Sequence, residues 1–101
     1  MVTMEIAVHP VGTGNASLSD YVADVIEVAK RRGVKYEITG MGTNLEGDLD
    51  TLFEIAREMH EASFGRGAPR VFTLIKIDDR RDRELTLEYK RRRAAEKVGD
   101  A

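Results

Sequence analysis

Apolar and polar positions alternate with a period of two in several segments of this chain, and segments with a helical period lie between them. The alternation is clearest in residues 3–8, where Met4, Ile6 and Val8 face one way, together with Val2 just before them. This segment is therefore predicted to be a strand. The same pattern predicts further strands over residues 34–39, 43–47 and 70–78.

Helices are predicted where apolar residues recur every three or four positions. Ser17 is predicted to begin the first helix, with Asp20 in the capping-box position, and Gly33 is predicted to end it. Asp48 is the predicted N-cap of the second helix. A last helix, with few apolar residues, is predicted over about residues 84–98. The inner stripe of the second helix is predicted to comprise Leu49, Leu52, Phe53, Ala56, Met59 and His60.

This order of elements, βαββαβ plus a C-terminal helix, predicts a fold of the α+β class. Two split βαβ units of this kind form a ferredoxin-like sandwich, in which a four-stranded antiparallel sheet carries two helices on one face. A length of 101 residues predicts a single domain over residues 1–101. A domain of this size buries only part of its surface, so association into an oligomer is a reasonable expectation.

The sheet face away from the helices is predicted to carry exposed apolar residues. If Val71, Ile75 and Ile77 pack under the helices, Phe72 and Leu74 lie on the opposite face. An apolar strip on an uncovered sheet usually marks an interface, so a second subunit is predicted to cover it. The alternative is that the terminal helix folds back over the sheet. That helix is polar on most sides and would cover an apolar strip poorly, so a second subunit is the favoured cover. The other residues predicted on this face are Glu5, Ala7, His9, Glu37, Thr39 and Lys76.

Composition and charge narrow the classes of function. The chain has no cysteine, and its two histidines lack the spacing of metal ligands, so neither a disulfide nor a metal site is expected. The net charge of −2 argues against a nucleic-acid partner. No segment has the roughly 20 apolar residues of a membrane span, and no signal peptide is recognisable, so a cytoplasmic protein is expected.

Candidate chemistry lies in two glycine-threonine turns. Thr43, Asn44 and Glu46 follow the second turn and supply donors and acceptors for a small polar molecule, although the same residues suit the end of a hairpin. The segment 12–14 lacks the lysine of a phosphate loop and the third glycine of a dinucleotide site. His60 has no assignable nucleophile, so no catalytic residue is predicted.

Several short motifs occur together in the order typical of one family. They are Pro10-Val11-Gly12-Thr13, Ser17-Leu18-Ser19, Met41-Gly42-Thr43, Leu45-Glu46-Gly47-Asp48 and Ile75-Lys76-Ile77-Asp78. On these motifs the chain resembles the small UPF0045 proteins, also called the YkoF-like or thiamine-binding family. The resemblance implies a ferredoxin-like subunit that forms homodimers or homotetramers through sheet faces. It also implies that at least some members bind thiamine or its hydroxymethylpyrimidine half, without an established enzymatic activity and without a cofactor.

The chemistry at these positions is compatible with an aminopyrimidine ligand. Glu46 or Glu37 would accept hydrogen bonds from the exocyclic amine, Thr43 or Thr13 would donate to the ring, and an aromatic side chain would stack on its face. The residues predicted to bind the ligand are Thr13, Tyr36, Glu37, Thr43, Asn44, Glu46, Phe72 and Lys76.

Three other functions remain open at this stage. A regulatory or scaffold oligomer would bind a different metabolite or a protein partner. An RNA-binding module would need exposed aromatic residues and basic charge on the central strands, where this chain has Glu5, Ala7 and His9. An enzyme would need a nucleophile, a base and an orienting group, and no such set is recognisable.

Overall fold

The computed structural model describes residues 1–100, so Ala101, the last residue of the predicted domain, lies outside the described range. Within that range the sheet has four strands in the order β2-β3-β1-β4, and every neighbouring pair is antiparallel. The predicted ferredoxin-like fold is therefore confirmed. The elements are β1 (Val2–Val11), α1 (Ser19–Arg32), β2 (Lys35–Ile38), β3 (Thr43–Gly47), α2 (Leu49–Gly65), β4 (Arg70–Asp78) and α3 (Leu87–Val98).

Strand β1 forms the centre of the sheet and carries the predicted alternation into the core. Met4 lies between Leu45 and Ile77, and Ile6 lies between Thr43 and Ile75. Residues paired across antiparallel strands point to the same face, so these side chains all point towards α1 and α2. The buried apolar core comprises Val2, Met4, Ile6, Val25, Val28, Ala29, Leu45, Leu52, Ile55, Ala56 and Met59.

Helix α1 begins at Ser19, so its N-cap lies one residue beyond the predicted cap, Ser17. Its N-cap is Leu18, which makes no side-chain capping bond. The loop before the helix instead folds on itself, because the Ser17 N–H donates to Asn15 Oδ1 at 2.9 Å and the Ser17 hydroxyl lies 3.3 Å from that of Ser19. Gly33 ends the helix with φ of 70°, a left-handed conformation that glycine adopts without strain.

Helix α2 begins at the predicted cap. The Thr51 N–H donates to the Asp48 carboxylate at 3.0 Å, and hydrogen bonds from Thr51 hold the pKa of that carboxyl below its ordinary value. The predicted inner stripe is partly wrong, because Phe53 is half exposed and Ile55 is buried in its place. The helix therefore presents a slightly different face to the sheet than the pattern indicated.

Helix α3 lies across the open face, which is the sheet face away from α1 and α2. It begins at Leu87, because the Thr86 hydroxyl caps it by accepting the Tyr89 N–H at 3.0 Å. Thr3 and Glu46 belong to the open face and are nevertheless buried. At the end of the open face that contains Thr3 and Glu46, the terminal helix therefore does fold back over the sheet, as the alternative in the sequence analysis proposed.

The other end of the open face is uncovered. We call it the bare half; it comprises Ala7, His9, Phe72 and Leu74, which are paired across β1 and β4. Phe72 and Leu74 are 53% and 54% exposed, as the sequence predicted. Thr39 lies one residue beyond the end of β2, in the turn that leads to β3.

Candidate functional site

A candidate site lies where β3 ends and β1 continues. The pairing of β1 with β3 stops at Ile6 and Thr43, whereas the pairing of β1 with β4 continues to Val11. Beyond Ile6, the edge of β1 that faces β3 therefore has no strand partner. This difference in strand length leaves backbone hydrogen-bonding groups available in the middle of the sheet.

The orientation of these groups follows from one close approach. A Cβ placed on Gly42 would lie 3.1 Å from the Ile6 carbonyl oxygen, so that carbonyl points towards β3. Alternate residues of an antiparallel strand direct their N–H and C=O groups to the same side, so those of Val8 point there too. Pro10 is next in the series, and its missing N–H falls on the unpaired side. Val8 consequently presents one donor and one acceptor side by side.

The unpaired edge borders a cavity of about 180 Å³, which we call the hairpin cavity. Its other walls are the start of α1 and the turn between β2 and β3, and most of the lining is apolar. Ala7 and His9 belong both to this lining and to the bare half, so the cavity opens towards the uncovered sheet face. The lining residues are Ile6, Ala7, Val8, His9, Leu18, Val22, Val25, Ile26, Thr39, Gly40, Met41, Gly42 and Thr43.

Two threonines at this cavity have different roles. The Thr39 hydroxyl is engaged in the turn, where it donates to the Gly42 carbonyl at 2.8 Å and accepts the Gly42 N–H at 3.1 Å. Thr43 is buried and borders the cavity, and its hydroxyl forms no hydrogen bond within residues 1–100. Thr43 is therefore the side chain that can bond a guest without losing a contact within the fold.

A second, polar cleft lies between α3 and the sheet. It has a volume of about 400 Å³ and is lined by residues of β1, β3, β4 and α3. Within it, Lys76 Nζ lies 3.6 Å from Glu5 Oε1, and Asn44 Nδ2 donates to Glu37 Oε1 at 3.2 Å nearby. These groups largely satisfy one another, which makes the cleft less receptive to a neutral guest than the hairpin cavity.

Glu46 is closed off by α3. Its carboxylate accepts the Leu87 N–H at 2.7 Å and lies 3.6 Å from Lys35 Nζ, with 7% of the residue exposed. It thus caps the first turn of α3, where a negative charge is favourable. The carboxylates of Glu37 and Asp78 hold the same helix through Arg91 and Lys90.

The structure does not bring the eight predicted ligand residues together. Glu37, Asn44, Glu46, Phe72 and Lys76 lie on the open face, with Phe72 in the bare half. Tyr36 and Thr43 point to the opposite face, because they pair with Leu45 and Ile38 on the helix side.

Thr13, the eighth residue, lies in the loop before α1. Its hydroxyl donates to the Asn15 carbonyl at 3.0 Å and accepts the Asn15 N–H at 3.4 Å. Of the eight, Thr43 borders the hairpin cavity. Three residues at the cavity, Val8, Leu18 and Met41, are not among the eight predicted ligand residues. The signal that pointed to Leu18 and Met41 is their place in two of the motifs quoted above.

Two further properties concern the described part of the chain. Residues 1–100 contain no group of three or more histidine and carboxylate side chains positioned to hold a metal ion. Over the same residues, none of the helices has the length and apolar character needed to cross a membrane.

Comparison with known proteins identifies relatives over nearly the whole chain. The family described as "Thiamine-binding protein" matches residues 4–95. A UPF0045 protein of Methanothermobacter thermautotrophicus is 48% identical over 99 residues, which is 97% of this chain and 100% of that protein. The UPF0045 protein YqgV of Bacillus subtilis is 45% identical over 94 residues, covering 89% of this chain and 90% of its own length.

Solved structures show the same fold. The protein MJ1052 of Methanocaldococcus jannaschii superposes with a TM-score of 0.82 at 39% identity, over 99% of this chain and 97% of that one. A Thermotoga maritima protein, whose description proposes a role in thiamine biosynthesis or salvage, has a TM-score of 0.79 at 25% identity, over 92% and 97% of the two chains. The family description is that of a binding protein and states no catalytic activity.

Proposed function

Because this chain belongs to the thiamine-binding protein family, also known as UPF0045, we propose that its hairpin cavity binds the aminopyrimidine half of thiamine or a close chemical relative. The protein would act as a binder and would not change the ligand chemically. Three of the family motifs adjoin this cavity. Leu18 of the motif Ser17-Leu18-Ser19 and all of Met41-Gly42-Thr43 line it. The motif that starts at Pro10 continues the unpaired edge of β1.

The observation that carries the proposal is the unpaired backbone edge at Val8. An aminopyrimidine has a ring nitrogen that accepts a hydrogen bond beside an exocyclic amine that donates one. The N–H and C=O of one strand residue are the complementary pair, arranged in one plane and held rigid by the pairing of β1 with β4. The ligand would thus occupy the place that a longer β3 would have filled.

The rest of the cavity suits a flat ring. The side chains of Leu18, Val22 and Val25 provide an apolar wall for the ring face. The Thr43 hydroxyl is available for a second ring nitrogen or for the substituent of the ring. The small volume favours a single ring inside, with the second half of thiamine at the mouth.

The surroundings of the mouth support a further part of the proposal, that a second subunit closes the site. Met41, which lines the cavity, is 86% exposed, and Ile38 at the end of β2 is 65% exposed. The bare half with Phe72 and Leu74 adjoins the cavity through Ala7 and His9. Large apolar residues that are grouped in this way usually mark an interface. A partner subunit on the bare half would bury them and place its own residues next to the ligand, in a dimer or a tetramer.

Calorimetry with thiamine and with hydroxymethylpyrimidine tests the binding proposal. Both compounds should bind, and Thr43→Val should weaken binding by the value of about one hydrogen bond, roughly 0.5–1.5 kcal/mol or about two- to twelvefold in Kd. Thr13→Val is the matched control, because that hydroxyl bonds only within its own loop, and its affinity should equal that of the wild type.

Two results would contradict the placement or the function. If neither thiamine nor hydroxymethylpyrimidine gives a heat of binding, the proposal that the protein binds this class of ligand is wrong. Binding that is unaffected by Thr43→Val but abolished by Asn44→Ala would move the site to the cleft under α3. The subunit part is tested separately by light scattering at micromolar concentration, where a monomer would refute the interface and leave the binding proposal standing.

A further inference from the structure

One carboxylate on the open face differs from the others in how it is held. The carboxylates of Glu37, Glu46 and Asp78 all accept hydrogen bonds from neighbouring groups. Glu5 accepts no side-chain hydrogen bond within residues 1–100, where its one ion pair is with Lys76 at 3.6 Å. The Lys76 side chain is 79% exposed, so it holds this carboxylate weakly. Glu5 is therefore the acid of this face that can most readily take up another cation.

The side chain of Glu5 begins beside the hairpin cavity. A Cβ placed on Gly42 would lie 3.6 Å from Glu5 Cγ and 3.6 Å from Ala7 Cβ. Gly42 and Ala7 both line the cavity, and Ala7 shares the open face with Glu5 because the two residues are two positions apart in β1. Glycine and alanine are the smallest residues, so little side-chain volume separates the cavity from Glu5.

The cavity itself carries no fixed charge. Within the described residues its lining contains no lysine, arginine, aspartate or glutamate, and His9 is the lining residue with a titratable side chain. On the open face His9 follows Ala7 on the side away from Glu5, and its ring lies 6.4 Å from the ring of Phe72. This side of the cavity mouth therefore has a carboxylate at one end and two aromatic rings at the other. Both kinds of group attract a flat cation.

We propose that Glu5 is the cation-binding residue of this site and that it selects ligands in which the aminopyrimidine is joined to a positively charged ring. The inference rests on the proposed function, because it requires the aminopyrimidine in the hairpin cavity. The thiazolium ring of thiamine is such a cation, and its nitrogen is fully substituted and has no N–H to donate. The carboxylate attracts it by charge, and the weakly held ammonium of Lys76 moves aside into solvent.

Two ligands that differ in this charge test the inference by calorimetry. Thiamine and its neutral analogue, in which a thiophene ring replaces the thiazolium ring, have nearly the same shape. At low ionic strength thiamine should bind about two- to fivefold more tightly than the analogue, the range expected for one partly exposed ion pair. Salt screens exposed charges, so this advantage should shrink at about 0.5 M sodium chloride.

Two substitutions should move the affinity for thiamine in opposite directions. Glu5→Gln should abolish the advantage of thiamine over the analogue, whereas Lys76→Gln frees the carboxylate and should increase it about twofold. Neither should change the affinity for hydroxymethylpyrimidine, which lacks the charged ring. A distorted cavity would weaken all three ligands together. Glu27→Gln is the matched control, because it makes the same change of charge in a groove on the helix layer and should leave every affinity unchanged.

The results distinguish this inference from the proposed function. Equal affinities of thiamine and the neutral analogue, or a Glu5→Gln variant that keeps the full difference, would overturn the role of Glu5 and leave the binding proposal standing. Changes of the same sign in Glu5→Gln and Lys76→Gln would also overturn it, because the two side chains carry opposite charges. Absence of binding by all three compounds would overturn both proposals.

Discussion

The attachment of α3 to the sheet should depend on one carboxylate, and Glu46→Ala tests this directly. The helix buries Leu87, which contributes roughly 1.5–3 kcal/mol, and its other contacts to the sheet are exposed ion pairs worth about 0–1 kcal/mol each. The buried Glu46 carboxylate accepts the Leu87 N–H at 2.7 Å. A hydrogen bond to a charged group contributes about 1.5–3 kcal/mol. Removal of Glu46 should therefore cost a large part of the free energy that holds α3 in place.

The expected loss converts into a change of population. At about 1.4 kcal/mol per factor of ten, the undocked fraction of α3 should rise roughly ten- to a hundredfold. Amide exchange of residues 90–98 should accelerate by the same factor, because an undocked helix of this length is only marginally stable by itself. The amides of α2 should keep their protection, since their contacts lie on the other side of the sheet.

Glu5→Ala is the matched control for this experiment. Glu5 lies on the same face and pairs with Lys76 at 3.6 Å, but it is partly exposed and has no contact with α3 in the hydrogen-bond or ion-pair network described above. Its removal should change the exchange of α3 by less than about fivefold, the equivalent of about 1 kcal/mol. Unchanged exchange in Glu46→Ala, or equal acceleration in both variants, would refute the role assigned to the carboxylate.

Three further predictions concern the fold and the cavity. Gly42→Ala places a Cβ about 3.1 Å from the Ile6 carbonyl oxygen, so it should lower the free energy of unfolding by roughly 1–3 kcal/mol in urea titrations and weaken ligand binding; equal stability would contradict this contact. Met59→Ala removes a fully buried side chain and should cost about 2–5 kcal/mol by the same assay, and a loss below 1 kcal/mol would disagree with its place in the core. Hydrogen bonds from Thr51 lower the pKa of the Asp48 carboxyl below 3.8, so the stabilising effect of its charge is present above that value and is lost as the pH falls through the lowered pKa. The stability advantage of the wild type over Asp48→Asn should consequently shrink between about pH 6 and pH 2, and a constant difference would rule out this linkage.

The fold could be predicted because its main elements follow from local patterns. The alternation in β1 and the limits of β3 and β4 agree with the structure. Strands β1 and β3 each bury one face, and a one-residue slip would expose that face. The predicted cap of α1, Ser17, was one residue early. In the structure the Ser17 N–H donates to the Asn15 side chain, so Ser17 belongs to the loop before the helix. A serine can form either a helix cap or a loop turn, and the sequence does not distinguish the two.

The position of α3 could not be predicted from hydropathy. Its docking rests on acids from three different strands: Glu46 accepts the Leu87 N–H, while Glu37 and Asp78 pair with the helix cations Arg91 and Lys90. Such pairings depend on the register of the whole sheet, which is a property of the folded chain. A pattern of polar residues indicates only that a helix is exposed, so the sequence favoured an uncovered sheet where the structure has a partly covered one.

The hairpin cavity could not be predicted from the sequence for a related reason. The eight predicted residues were chosen for their side chains, whereas the main feature of the hairpin cavity is the backbone of Val8. That edge is unpaired only because β1 extends five residues beyond its last partner in β3. The relative lengths of β1 and β3 determine this unpaired edge. Apart from Pro10, no side chain in the sequence indicates where the edge lies.

The most direct test of the proposed ligand site is a titration of isotope-labelled protein with hydroxymethylpyrimidine, followed by amide chemical shifts. Binding in the hairpin cavity should move the amide signals of Val8, Met41 and Thr43 most strongly, with the Val8 N–H shifted by a new hydrogen bond. The signals of Asn44 and Lys76 under α3 should change little. Shifts centred on Asn44 and Lys76, or no shifts at saturating concentration, would contradict the placement of an aminopyrimidine against the edge of β1.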